Sequence, residues 1–109
     1  MPEPTPAQID KLKAEHGELH AISAGTGDRE VSVLVKTPNR ERWTSFKAQA
    51  QDPHRKATAM ESLVLDCVVH PSREEMSKLL NVRPGLSETF GSEIAKLAGL
   101  EELVVTRKL

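Results

Sequence analysis

No tyrosine occurs in the 109 residues, and Trp43, Phe46 and Phe90 are the only aromatic side chains. With so few large rings and a hydrophobic fraction of 38%, the core is expected to be aliphatic and modest. A chain of this length buries only roughly 60–70% of the surface its unfolded form exposes. Self-association or a partner is therefore expected to supply part of its stability. The single cysteine, Cys67, excludes an internal disulfide and with it a secreted disulfide framework. Neither sign of charge predominates: fifteen basic residues face sixteen acidic ones. The basic excess or stripe typical of nucleic-acid modules is missing. No apolar run approaches the roughly 20 residues that span a bilayer. Met1-Pro2-Glu3-Pro4-Thr5-Pro6 has neither a basic region nor an apolar stretch, so no signal peptide is expected and the expected compartment is the cytoplasm.

What is present reads as one domain of α+β class: an N-terminal helix and a β-hairpin followed by a bundle of about four short α-helices. Residues 1–5 form a proline-rich flexible lead, 6–37 the helix and hairpin, 38–99 a helical body and 100–109 a tail. Thr5-Pro6 is a helix start, a hydroxyl cap followed by proline where its missing N–H costs nothing. Ile9 and Leu12 give that helix a thin apolar stripe, and Gly17 is placed to end it. Over residues 18–37 the period changes to two, with Val31, Val33 and Val35 alternating against Ser32, Leu34 and Lys36 after the turn cluster Gly25-Thr26-Gly27-Asp28. A lone hairpin is marginal in water, so one face is expected to lie on helices or one edge to pair with another chain.

The remainder carries helical signals. Thr37-Pro38 is expected to cap a helix on which Trp43, Phe46 and Ala50 share a face. Asp52-Pro53 is expected to start a central helix running to His70, with Met60, Leu63, Val64, Cys67 and Val68 as its core stripe. Leu65 and Val69 fall on a second face. A strand over residues 63–69 is the alternative, but the charged and small residues before it favour a helix. His70-Pro71 breaks the run, and Ser72 with Glu75 has capping-box spacing for a helix bearing Met76, Leu79 and Leu80. After Arg83-Pro84-Gly85, the residues Leu86, Phe90, Ile94 and Leu97 form a last helix ended by Gly99, with Leu100 placed for the apolar contact that follows such a glycine.

Chemistry-bearing patterns are weak. His16 and His20, with Cys67 and His70, have the spacing of two metal-ligand pairs. Gly17 interrupts the helix the first pair needs, and Cys67 lies in the core stripe, so no metal is expected. A core thiol lacks the lowered pKa and access a nucleophile requires. The stretch from Ser23 to Gly27 lacks the order of a phosphate-binding loop. Glu74-Glu75 and Glu101-Glu102 are adjacent pairs that do not face each other on a helix. No catalytic, cofactor-binding or metal site is expected. Arg40, Arg42, Lys47, Arg55 and Lys56 near Trp43 are the one candidate for nucleic-acid contact. Trp43 in phase with Phe46 instead reads as core, with the basic residues as ordinary surface. A helix-turn-helix is disfavoured because the helix over residues 87–97 has no basic face.

Several segments resemble a known family. They are Lys36-x-Pro38-x4-Trp43-x2-Phe46, the run from Ala59 through Cys67-Val68-Val69-His70-Pro71 with Ser72 and Glu74-Glu75 close behind, and the run from Arg83-Pro84-Gly85-Leu86 to Leu97-Ala98-Gly99. Across residues 33–99 the chain resembles the small tail assembly chaperones of long-tailed bacteriophages and prophages. The resemblance implies a non-enzymatic protein of the host cytoplasm that associates with the tape measure protein and keeps its long apolar helix soluble until the tail tube forms around it. It also implies that a frameshifted, longer form can exist, contacting the tube protein. It carries over no functional residue, and the N-terminal helix and hairpin lie outside it. The residues themselves place surplus apolar side chains at Leu65, Val69, Leu103, Val104 and Val105 as candidate protein-binding positions. For Leu65 and Val69, a second core face is the plainer reading. The expected partner is the tape measure protein or another tail protein, with a homo-oligomer possible, no membrane and no nucleic acid. The alternatives are a small nucleic-acid-associated regulatory domain or a structural subunit of a phage-like particle.

Overall fold

A computed structural model describes residues 4–99 and 104–109. Helix α1 (Pro6–His16) starts where its sequence signal lies. Thr5 caps it by accepting from the Gln8 amide, and the Gln8 side chain accepts from the Thr5 amide in return. Gly17 at φ 81° ends it. Strands β1 (Leu19–Ala24) and β2 (Val31–Lys36) form the antiparallel hairpin, with Ile22 opposite Val33 and Ser23 opposite Ser32. The two serine hydroxyls meet at 2.7 Å on the exposed face. Period-two alternation sorts the hairpin: Val31, Val33 and Val35 are buried, while Ala21, Ser23 and Ser32 are exposed on the opposite side.

Four helices follow the hairpin: α2 (Arg40–Gln51), α3 (Ala59–Cys67), α4 (Arg73–Val82) and α5 (Leu86–Leu97). The mixed α+β class is as expected, but three local expectations are corrected. Asn39, not Thr37-Pro38, caps α2; its side-chain oxygen accepts from the Arg42 amide at 2.8 Å. Asp52-Pro53 does not open the central helix. The Asp52 carboxylate accepts from the His54 amide at 2.9 Å and holds a turn, a short 3₁₀ piece follows, and α3 begins only at Ala59. Nor does the central helix reach His70. It ends at Cys67, and β3 (Val68–His70) joins the sheet antiparallel to β2, pairing Val35 with Val68 and Leu34 with His70. The residue before Pro71 is biased to extended backbone, and Val68 and Val69 are β-branched, so the chain has reason to leave the helix early once β2 offers a ladder.

One aliphatic core joins the inner face of the sheet to the helices. Val31, Val33 and Val35 pack with Leu63, Val64 and Cys67 of α3, Met76 and Leu80 of α4, and Leu86, Phe90 and Ile94 of α5. Helices α3 and α5 approach closely at Gly91, where a side chain would collide with Met60. Ser72 caps α4 through the Glu75 amide, and Gly99 follows α5 with φ 100°. The contact expected of Leu100 lies outside the described residues. No helix is long and apolar enough to cross a membrane among the described residues.

Candidate partner-binding surface

The five apolar candidates separate. Leu65 is partly buried and packs against the core, so the fold uses it as a second core face of α3. Val69, central in β3, is half-buried and borders a small cleft shared with α1. Leu103 lies outside the described residues. Val104 and Val105 are 80% and 81% exposed in a segment without regular secondary structure, in which Leu109 is also fully exposed. Val82, at the end of α4, is a further exposed apolar residue that sequence reasoning missed. Its signal was present: it follows Leu79 and Leu80 but falls off their inward-facing stripe.

The outer face of the sheet is covered incompletely. Helix α1 borders it with Ile9 and Leu12 half-buried, and no residue of α1 is fully buried. On one side, Pro4 and Ile9 share a cleft of about 640 Å³ with Ala21, Ser32, Leu34 and Leu79. On the other, Leu12 and Glu15 share about 250 Å³ with Val69 and His70. At the hairpin end of the larger cleft stand Asp28 and Glu30, both exposed. Arg83 from the end of α4 ties this region down by donating to the Arg29 carbonyl at 3.0 Å.

A third cavity, about 650 Å³, is polar and bordered by His16, Lys36, Asn39, Arg42, Asp66 and Cys67. Asp66 faces two guanidinium groups: Arg42 Nε lies 2.7 Å from one carboxylate oxygen, and Arg73 contacts the other. This ties α2, α3 and α4 together. The Arg42 side chain is only 15% exposed, so the central residue of the basic group suspected of nucleic-acid contact is engaged inside the protein. Trp43 and Phe46 pack ring against ring at 5.2 Å, with Trp43 half-buried rather than part of the central core.

The histidine and cysteine pairs do not assemble. His16 ends α1 and His20 lies in β1, across Gly17; Cys67 ends α3 and His70 ends β3. No group of three or more potential ligands is gathered among the described residues. Burial pushes the Cys67 thiol pKa up, and that effect outweighs the opposing pull of Arg42 and Lys36. A neutral, buried thiol is a poor nucleophile.

A family profile described as a domain of unknown function, DUF6848, matches residues 12–107. No curated protein matches the chain. Among solved structures, the uncharacterised protein rbstp2171 from Bacillus stearothermophilus superposes with a TM-score of 0.75, covering 91% of this chain and 99% of that one. The two are 20% identical, so the likeness is one of fold.

Proposed function

We propose that this chain, which belongs to the DUF6848 family, is a non-enzymatic assembly chaperone or adaptor of the phage-tail type. In this reading it binds an apolar helical stretch of the tape measure protein in the host cytoplasm and keeps it soluble until the tail tube forms. The observation that carries the reading is the terminal segment, where Val104, Val105 and Leu109 stand exposed beside Arg107 and Lys108. Apolar side chains left open on a small, nearly neutral domain suit the capture of an amphipathic helix. The resemblance across residues 33–99 adds to it, because those residues form the packed body that would present such a surface.

The test is co-expression with a tape measure protein encoded beside this chain, followed by affinity capture at low and high salt. Apolar capture is expected to survive high salt, because screening acts on charges, and to be lost in Val104→Asp/Val105→Asp. Failure to capture the helix, together with salt-sensitive DNA binding abolished by Arg40→Ala/Lys47→Ala, would overturn the proposal in favour of a nucleic-acid-associated domain.

A further inference from the structure

We infer that two copies of this chain join edge to edge through β1, antiparallel about a twofold axis, so that their three-stranded sheets run on as one. The inference stands apart from the chaperone reading and names a surface that reading does not use. The sheet order β1-β2-β3 leaves two edges, and they are built differently. The β3 edge is three residues long, its register against β2 shifts between Leu34 and Val35, and Pro71 follows it directly. Shortness, irregularity and proline are common means of keeping an edge from pairing. Strand β1 has none of them. Its six residues pair with β2 in unbroken register and include no proline, lysine, arginine or carboxylate. Alternate residues of an edge strand turn their N–H and C=O groups away from the sheet. Among the described residues, none of these groups of β1 finds a partner. Every β1 residue is half-buried or exposed, and unpaired backbone groups are costly away from water, so the edge faces solvent.

A row of open backbone groups takes up an extended strand, and the side chains of β1 select which strand. Val31, Val33 and Val35 on the inner face are buried, but Ile22 and Ala24, which continue that face one strand over, are covered only in part. A strand that completes the cover places apolar side chains on the inner row and small uncharged ones on the outer. Strand β1 is itself such a strand: His20, Ile22 and Ala24 lie on the inner row, Ala21 and Ser23 on the exposed one. With Ile22 set opposite its own copy, Ala21 falls opposite Ser23 and His20 opposite Ala24, so no like charges meet across the seam. The terminal segment fits worse, because alternation puts either Arg107 or Lys108 on the inner row. A twofold pairing also closes. It uses both β1 edges and leaves only the blunted β3 edges outside, so assembly stops at two.

Sedimentation velocity of the full chain over a range of concentrations is expected to show a monomer–dimer equilibrium. Ala21→Lys/Ser23→Lys sets lysines opposite one another twice across the seam and leaves the buried face alone. It should weaken dimerisation by about a hundredfold. Ala21→Glu/Ser23→Glu should do the same, and mixing the two variants should restore the dimer as a heterodimer. That rescue separates lost pairing from lost folding, since opposite charge does not refold a misfolded chain. In the parent, hydrogen exchange in residues 19–24 should slow as concentration rises, while residues 68–70 stay unchanged. A chain that remains monomeric up to about 1 mM overturns the inference. So does a dimer that survives both charge variants, or one lost in Val104→Asp/Val105→Asp but kept in them. If either charge variant fails to fold, exchange in the parent decides: protection at residues 19–24 supports the pairing, and protection elsewhere overturns it.

Discussion

Gly91 of α5 faces Met60 of α3 so closely that a Cβ added at Gly91 would lie 2.7 Å from the Met60 sulfur and 3.4 Å from its Cβ. Two effects oppose each other on substitution. Alanine in place of an interior helical glycine gains about 1 kcal/mol of helix propensity, while overpacking costs about 1–3 kcal/mol. The clash is with the flexible end of a half-buried methionine, so the side chain can swing aside. Gly91→Ala is expected to fall within about 1 kcal/mol of the parent in urea unfolding. Gly91→Val meets the less mobile Met60 Cβ and should cost about 2–3 kcal/mol, much of it recovered in combination with Met60→Ala.

Phe90 is the largest fully buried side chain among the described residues. The other phenylalanine, Phe46, packs against the core only partly buried. Phe90→Ala is expected to cost about 3–5 kcal/mol, a large share of the roughly 5–15 kcal/mol that holds a typical domain folded. Thermal melting should show either a collapse of the transition temperature or the loss of a cooperative transition.

Much of this architecture was legible because its signals are local. Thr5-Pro6, Ser72 with Glu75, and Gly99 each act on amides within a few residues, and the alternation of Val31, Val33 and Val35 needs no distant information. The failures share a cause. Cys67 to Val68 changes from helix to strand because β2, far back in the chain, offers Val35 as a partner; a helical stripe read alone runs straight through that point. Asp52-Pro53 has the composition of a helix start, but its carboxylate closes a turn instead. Leu65 and Val69 look equivalent in sequence, four residues apart, and one packs on the core while the other borders the α1 cleft. That cleft was not legible at all, since it depends on which face of the sheet α1 lies against.

Asp66 offers a cycle of substitutions. Its side chain is 38% exposed while that of Arg42 is 15% exposed, so the cost of losing the carboxylate falls mainly on the arginine it leaves behind. Discounted for solvent screening, Asp66→Ala is expected to cost about 1–2 kcal/mol. Arg42→Met should be nearly neutral, and the double variant should be more stable than Asp66→Ala alone. Urea unfolding of the four proteins, which adds no salt to screen the pair, gives the coupling directly.

Cys67 predicts a pH dependence. Its thiol pKa is raised in the folded state by burial, so the unfolded chain loses the proton first. Stability from this group is complete below the ordinary thiol value of about 8.5. It declines as pH climbs from there through the folded pKa, because above 8.5 the folded state binds more protons than the unfolded one. Denaturation midpoints from pH 7 to 10 should fall for the parent and fall less steeply for Cys67→Ala. Thiol labelling in native buffer should be slow and should accelerate in denaturant.

The core that joins Val33 and Val35 to Phe90 and Ile94 also sets an order in time. Synthesis delivers the hairpin before the helices α3, α4 and α5 whose side chains cover it, and the arginine that steadies its turn lies 54 residues downstream of the carbonyl it holds. An isolated hairpin of this kind has little stability of its own. A ribosome therefore has to release α5 before this core can close, so nascent chains halted before α5 should remain open to protease and those halted after it should resist.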